Sequence, residues 1–158
     1  MDRMKIVKLI VAIVICQLTG IIGSTFTMSS IPTWYATLQK PSFSPPNWLF
    51  GPVWTTLFTL MGISLYLVWD QIEKKEAKRS LVIFGIQLVL NIFWSVLFFG
   101  LKSPFYAFIE IIILWLSIAF TIFKFYKISR NAALLLIPYI VWVSVATILN
   151  YYIWILNP

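Results

Sequence analysis

Residues 48–69 read WLFGPVWTTLFTLMGISLYLVW, twenty-two positions without a charge. As a helix rising about 1.5 Å per residue, such a run crosses the roughly 30 Å hydrocarbon core of a bilayer. Four more runs of this kind flank it, at 6–28, 81–101, 104–123 and 132–156. The run at 81–101, LVIFGIQLVLNIFWSVLFFGL, is also uncharged, 104–123 holds Glu110, and 132–156 holds Pro138, where a kink is expected. Composition agrees, since 61% of the 158 residues are hydrophobic and 11% charged, where a soluble domain has about a quarter charged. The predicted fold is all-α: one integral membrane domain, residues 1–158, built as a five-helix transmembrane bundle. The first run starts with basic residues, but no small-residue cleavage site follows its apolar core, so we read it as a retained helix rather than a signal peptide.

Charge orients the bundle. Arg3, Lys5, Lys8, Lys74, Lys75, Lys78, Arg79, Lys124, Lys127 and Arg130 fall on one side of the five spans, and only Lys40 and Lys102 on the other. The positive-inside rule predicts a multi-pass cell-membrane protein with a cytoplasmic N-terminus and an extracellular C-terminus. The net charge of +7 is thereby accounted for without nucleic acid, which is not an expected partner. Connections between spans are short, so neighbours should pack antiparallel. The exception is the stretch 29–47, an extracellular loop between helices 1 and 2. It carries Pro41, Pro45 and Pro46, whose fixed φ angles stiffen it, and it is long enough to act as a lid. Asn47 is a candidate N-cap for the second helix.

Histidine is absent and Cys16 is the single cysteine, which leaves no predicted metal centre, no required cofactor and no catalytic triad. Polar and aromatic residues instead gather at one depth, in the half of the bundle below the loop. Gln87, Asn91 and Trp94 recur at i, i+4 and i+7, and so share one helix face. Trp54 and Phe58 share another face, as do Trp142, Ala146 and Leu149. Gln17, Ser24, Glu110, Trp115 and Asn150 lie at comparable depth. A pocket lined by such groups suits a flat, apolar ligand with polar edges. Plainer roles compete: Trp34, Trp48, Trp69 and Trp154 fit an interfacial belt, Gln87 and Asn91 fit helix-to-helix hydrogen bonds, and Glu110 is either a functional carboxyl or structural glue. Gly20 and Ser24 form a small-xxx-small pair that is a candidate dimer surface.

The stretches WYATLQKPSFSPPNWLFGPVW, TLMGISLYLVW, QLVLNIFWSVLFFG and PYIVWVSVATILNYYIW together resemble the TspO/translocator-protein family, whose members are also called tryptophan-rich sensory proteins or peripheral-type benzodiazepine receptors. The resemblance is collinear over nearly the whole chain. Its few extensions and plain charge pattern lead us to expect a bacterial member. The resemblance implies a homodimer of five-helix bundles that binds protoporphyrin IX, other apolar small molecules and benzodiazepine-type drugs. It implies pocket roles for Trp54, Asn91, Trp142, Ala146 and Leu149, and covering roles for Tyr35, Pro45 and Asn47. The final stretch, ATILNYYIWILNP, lacks the basic residue of the mammalian cholesterol motif, and so gives no basis for specific cholesterol binding.

These readings lead us to expect a tetrapyrrole-binding membrane protein that promotes light- and oxygen-dependent porphyrin degradation, with Trp54 and Trp142 as catalytic indoles. The bound pigment supplies the hard chemistry and the protein orients it. Two alternatives stay open: a transporter of tetrapyrroles or similar apolar metabolites, and a ligand-dependent stress sensor.

Overall fold

The computed structural model describes residues 2–158, which form helices and turns without any strand. The helices are α1 (Arg3–Thr27), α2 (Asn47–Trp69), α3 (Lys75–Ser95), α4 (Pro104–Tyr126), α5 (Arg130–Leu135) and α6 (Ile137–Leu156). Among the described residues, five spans long and apolar enough to cross a membrane result, because α3 continues as a wider π-type turn to Gly100, and α5 with α6 makes one span, Arg130–Leu156.

The fifth span differs from expectation. The sequence places a kink inside one helix at Pro138, whereas the structure ends α5 at Leu135 and begins α6 at Ile137. Pro138 has no N–H to continue the α ladder, so it is accommodated in the first turn of α6. The Leu136 N–H turns back to Ala133 O at 3.1 Å, a tighter bond of the kind that closes a helix. Asn47 also departs from its predicted role. It is the first residue of α2, while extended Pro46 holds the cap position without a side-chain bond.

The helices form a ring in which α1 packs on α2 and α3, α3 on α4, and α4 on α5 and α6. Helix α2 closes the ring against α5 and barely meets α6. The end of the bundle carrying the basic connections is filled. Phe84 stacks on Phe125 with ring centres 5.6 Å apart, and the Ser64 hydroxyl donates to Ala132 O at 2.7 Å. Gly62 of α2 lies so close to α1 that an added Cβ would sit 2.5 Å from the Ile13 Cα. At this end half-buried Asp70 faces Lys5 and Lys8 at 3.6 and 3.8 Å, long, partly solvated pairs that contribute little. Because α2 is held against α1 and α5 here, its first half is free to diverge from α6 at the other end.

Candidate functional site

The divergence leaves a cavity of about 390 Å³ in that half of the bundle. Its walls come from the second half of α1, the first half of α2, the end of α3 and the middle of α6, with Ile111 and Leu114 of α4 behind them. The connection 28–46 covers it. That segment begins with a π-type turn, Ile31–Tyr35, whose two ends are fastened to the end of α3. The buried Ser30 hydroxyl donates to Phe99 O at 2.9 Å, and the Trp34 and Tyr35 rings close on Phe98 at 5.6 and 6.3 Å. Tyr35 is 2% exposed, and burial pushes its phenol above the ordinary value.

Of the residues singled out from sequence, Tyr35 and Pro45 line the cavity from the loop, and Asn47, Trp54 and Phe58 from α2. Asn91 and Trp94 line it from α3, and Trp142, Ala146 and Leu149 from α6. Trp54 stacks on Phe58 at 5.5 Å and meets the Tyr139 ring edge-on at 6.3 Å. Phe50 meets Trp142 edge-on at 6.0 Å, and Trp94 stacks on Phe98 at 4.9 Å. Phe50 and Phe98 were missed, although each stands four residues from a tryptophan that was not: Phe50 before Trp54, and Phe98 after Trp94.

Gln87, Glu110 and Trp115 lie outside the cavity wall. Gln87 shares the face of Asn91, but the Tyr139 ring of α6 inserts beside both. The Asn91 amide donates to the Tyr139 hydroxyl at 2.8 Å, and that hydroxyl donates to Gln87 Oε1 at 2.7 Å. Tyr139 therefore ends the polar column one turn above Gln87. Glu110 is buried, and neither carboxyl oxygen has a hydrogen-bond partner among the described residues. Trp115 faces the outer groove between α4 and α6, where its indole donates to Ser144 Oγ at 2.8 Å. Gly20 and Ser24 line the cavity of their own chain instead of offering an outer surface. A Cβ on Gly20 would come 2.7 Å from the Phe58 ring, so the small residue serves packing between α1 and α2.

Polar groups on the wall are mostly committed. The Gln17 amide donates to Thr55 O and Thr59 Oγ1 at 3.0 and 2.9 Å, which turns its carbonyl away from them. The Trp94 indole donates to Asn150 Oδ1 at 3.0 Å, and Asn150 donates in turn to Pro104 O. The indole N–H groups of Trp54 and Trp142 make no such bond among the described residues. The wall thus offers a ligand aromatic faces and two free indole donors, with no ionised side chain among the residues that line it. Tyr139→Phe should cost about 1 kcal/mol or more, since it leaves buried amides of Asn91 and Gln87 without their common partner. Thermal unfolding in detergent measures this; an unchanged midpoint would show that the amides re-pair.

The sequence profile of the TspO/MBR family matches residues 12–155. The tryptophan-rich protein TspO of Chlorobaculum tepidum is 45% identical over 98% of each chain. That of Archaeoglobus fulgidus is 44% identical over 98% of this chain and 99% of its own. The human translocator protein is 39% identical over 84% of this chain and 80% of its own.

Proposed function

This chain belongs to the TspO/MBR family, and we propose that it binds protoporphyrin IX in the cavity beneath the loop and promotes its light- and oxygen-dependent degradation. The observation that carries the reading is the wall itself: stacked indoles and phenyl rings around a space of about 390 Å³, within the roughly 300–1,000 Å³ usual for small-molecule sites. A planar macrocycle fits aromatic faces, and its polar edge fits the uncommitted indole N–H groups. Light is absorbed by the porphyrin, dioxygen is the oxidant and the macrocycle is what is oxidised. Trp54 and Trp142 are the oxidisable side chains that relay electrons. No resident cofactor enters this scheme. The same apolar surface accounts for benzodiazepine-type drugs as competing ligands. The basic end lies in the cytoplasm, the loop faces the opposite side, and the protein acts as a homodimer in the bilayer.

Purified protein with protoporphyrin IX tests this directly. Saturable binding in the dark, and loss of porphyrin absorbance that requires light, dioxygen and protein together, is the expected result. Binding without protein-dependent bleaching would leave a carrier or a sensor. Transport coupled to Glu110 is the second reading, on the strength of its unpartnered carboxyl. The position of Glu110 off the cavity wall argues against direct coupling to the ligand. Glu110→Gln is therefore expected to change porphyrin affinity by less than about twofold. Loss of protein-dependent porphyrin flux across sealed vesicles in that variant would promote the transport reading.

A further inference from the structure

The loop that covers the cavity is fastened on its second half by one side chain far away in sequence. Asn157, at the end of α6, accepts the Gln39 N–H on Oδ1 at 3.0 Å and donates from Nδ2 to Gln39 O at 2.8 Å. The same Nδ2 also donates to Ile153 O at 2.9 Å, one turn back along α6. The amide orientation follows from its partners: a backbone N–H meets only the oxygen, and two backbone carbonyls meet only the nitrogen. Asn157 thus engages both main-chain groups of a single loop residue, as a neighbouring β-strand would, while anchored to its own helix. Next to this clasp the Phe43 ring packs edge-on against Tyr152 of α6 at 5.6 Å. Among the described residues, no other hydrogen bond joins residues 38–45 to a helix of the bundle.

The loop therefore spans the mouth between two unequal anchors. The first, at the end of α3, buries Tyr35 against Phe98 and Phe99. The second is the Asn157 clasp on an exposed residue, with the Phe43–Tyr152 contact beside it. Pro45, which lines the cavity, belongs to the half held by the second anchor. A ligand leaving through the mouth needs one half of the loop to lift, and the half with less buried surface lifts first. We propose that Asn157 is the positioning residue that keeps this loop closed, and so sets how long a bound ligand stays. The proposal rests on the cavity being a ligand site, as read above.

Asn157→Ala removes both bonds. Asn157→Asp keeps an acceptor for the Gln39 N–H and loses the donor to both carbonyls, so it separates the clasp from mere occupancy of the position. Two readouts are needed: amide hydrogen exchange over residues 36–46 without ligand, and dark dissociation of protoporphyrin IX into excess competitor. Both variants should exchange faster in the loop. Both should release the porphyrin roughly tenfold faster, the equivalent of about 1.4 kcal/mol, with association changed by less than about twofold. The unfolding midpoint should stay near that of the wild type, which a purely structural role would not allow. Faster loop exchange with unaltered dissociation overturns the proposal, and so does unaltered exchange. If the wild-type protein takes up no protoporphyrin, the functional reading fails instead, and the exchange measurement alone then decides whether Asn157 holds the loop.

Discussion

Replacing both Trp54 and Trp142 with phenylalanine should leave protoporphyrin bound and slow its light-driven bleaching by at least about tenfold. The two indoles occupy separate helices, α2 and α6, on the wall of one cavity. Neither is required to hold a helix in place by its N–H, unlike Trp94 and Trp115, whose N–H groups bond Asn150 and Ser144. Phenylalanine keeps a ring against Phe58 at one site and Phe50 at the other, so the cavity should persist with modest enlargement. What is lost is an oxidisable ring and a hydrogen-bond donor facing the ligand. Binding depends mainly on aromatic area, and is expected to weaken only a few-fold, by about 0.5–1 kcal/mol. Bleaching depends on electrons passing from the macrocycle to dioxygen through the indoles, and should fall much further. The single variants distinguish a relay from redundancy: if either indole alone suffices, each single variant keeps most of the rate. A double variant that binds and bleaches like the wild type would assign the degradation to oxygen species made by the porphyrin itself. The tryptophans would then be wall, not chemistry.

Depth was legible in the sequence, and direction around the helix axis was not. A rise of about 1.5 Å per residue puts Glu110, Trp115 and Gln87 level with, or one turn below, the aromatic layer. Only packing decides which way a lone residue such as Glu110 or Trp115 faces, and whether one on the right face, such as Gln87, is covered. Trp115 turns to the α4–α6 groove because Ser144 offers it an acceptor there, and Gln87 is cut off by Tyr139. Residues repeated on one face fared better, since two or three positions fix a direction that one cannot. Asn91 with Trp94, and Trp142 with Ala146 and Leu149, all reach the cavity. The Gly20 and Ser24 pattern marks close helix approach but does not say to which helix, and the partner is α2 of the same chain. The break before Pro138 was half visible, because proline announces a disrupted ladder without saying whether it bends or ends. The Asn157 clasp leaves no periodic trace. It joins positions 118 residues apart through one amide.

Gly62→Ala should destabilise the bundle by about 1–3 kcal/mol, whereas Gly85→Ala, one helix away, should stabilise it by about 0.5–1 kcal/mol. Both glycines are interior to long helices, so propensity alone predicts a gain at each. Their surroundings reverse the sign at one. An added methyl at Gly85 meets nothing within 4 Å, and an added methyl at Gly62 meets the Ile13 Cα at 2.5 Å and its N at 3.0 Å. Backbone cannot rotate aside as the end of a side chain can, so α1 and α2 must separate. They touch at the filled end of the bundle, where Ser64, two residues on, holds α2 to Ala132. Forcing the helices apart there also changes their angle at the cavity end, where Gly20 packs on Phe58 and Gln17 bonds Thr55 and Thr59. Gly62→Ala is therefore expected to weaken porphyrin binding as well as to lower the unfolding midpoint in detergent, although Gly62 does not line the cavity. Equal midpoints for Gly62→Ala and Gly85→Ala would mean that α1 shifts freely. The cavity would then owe its shape to α2, α3 and α6 alone.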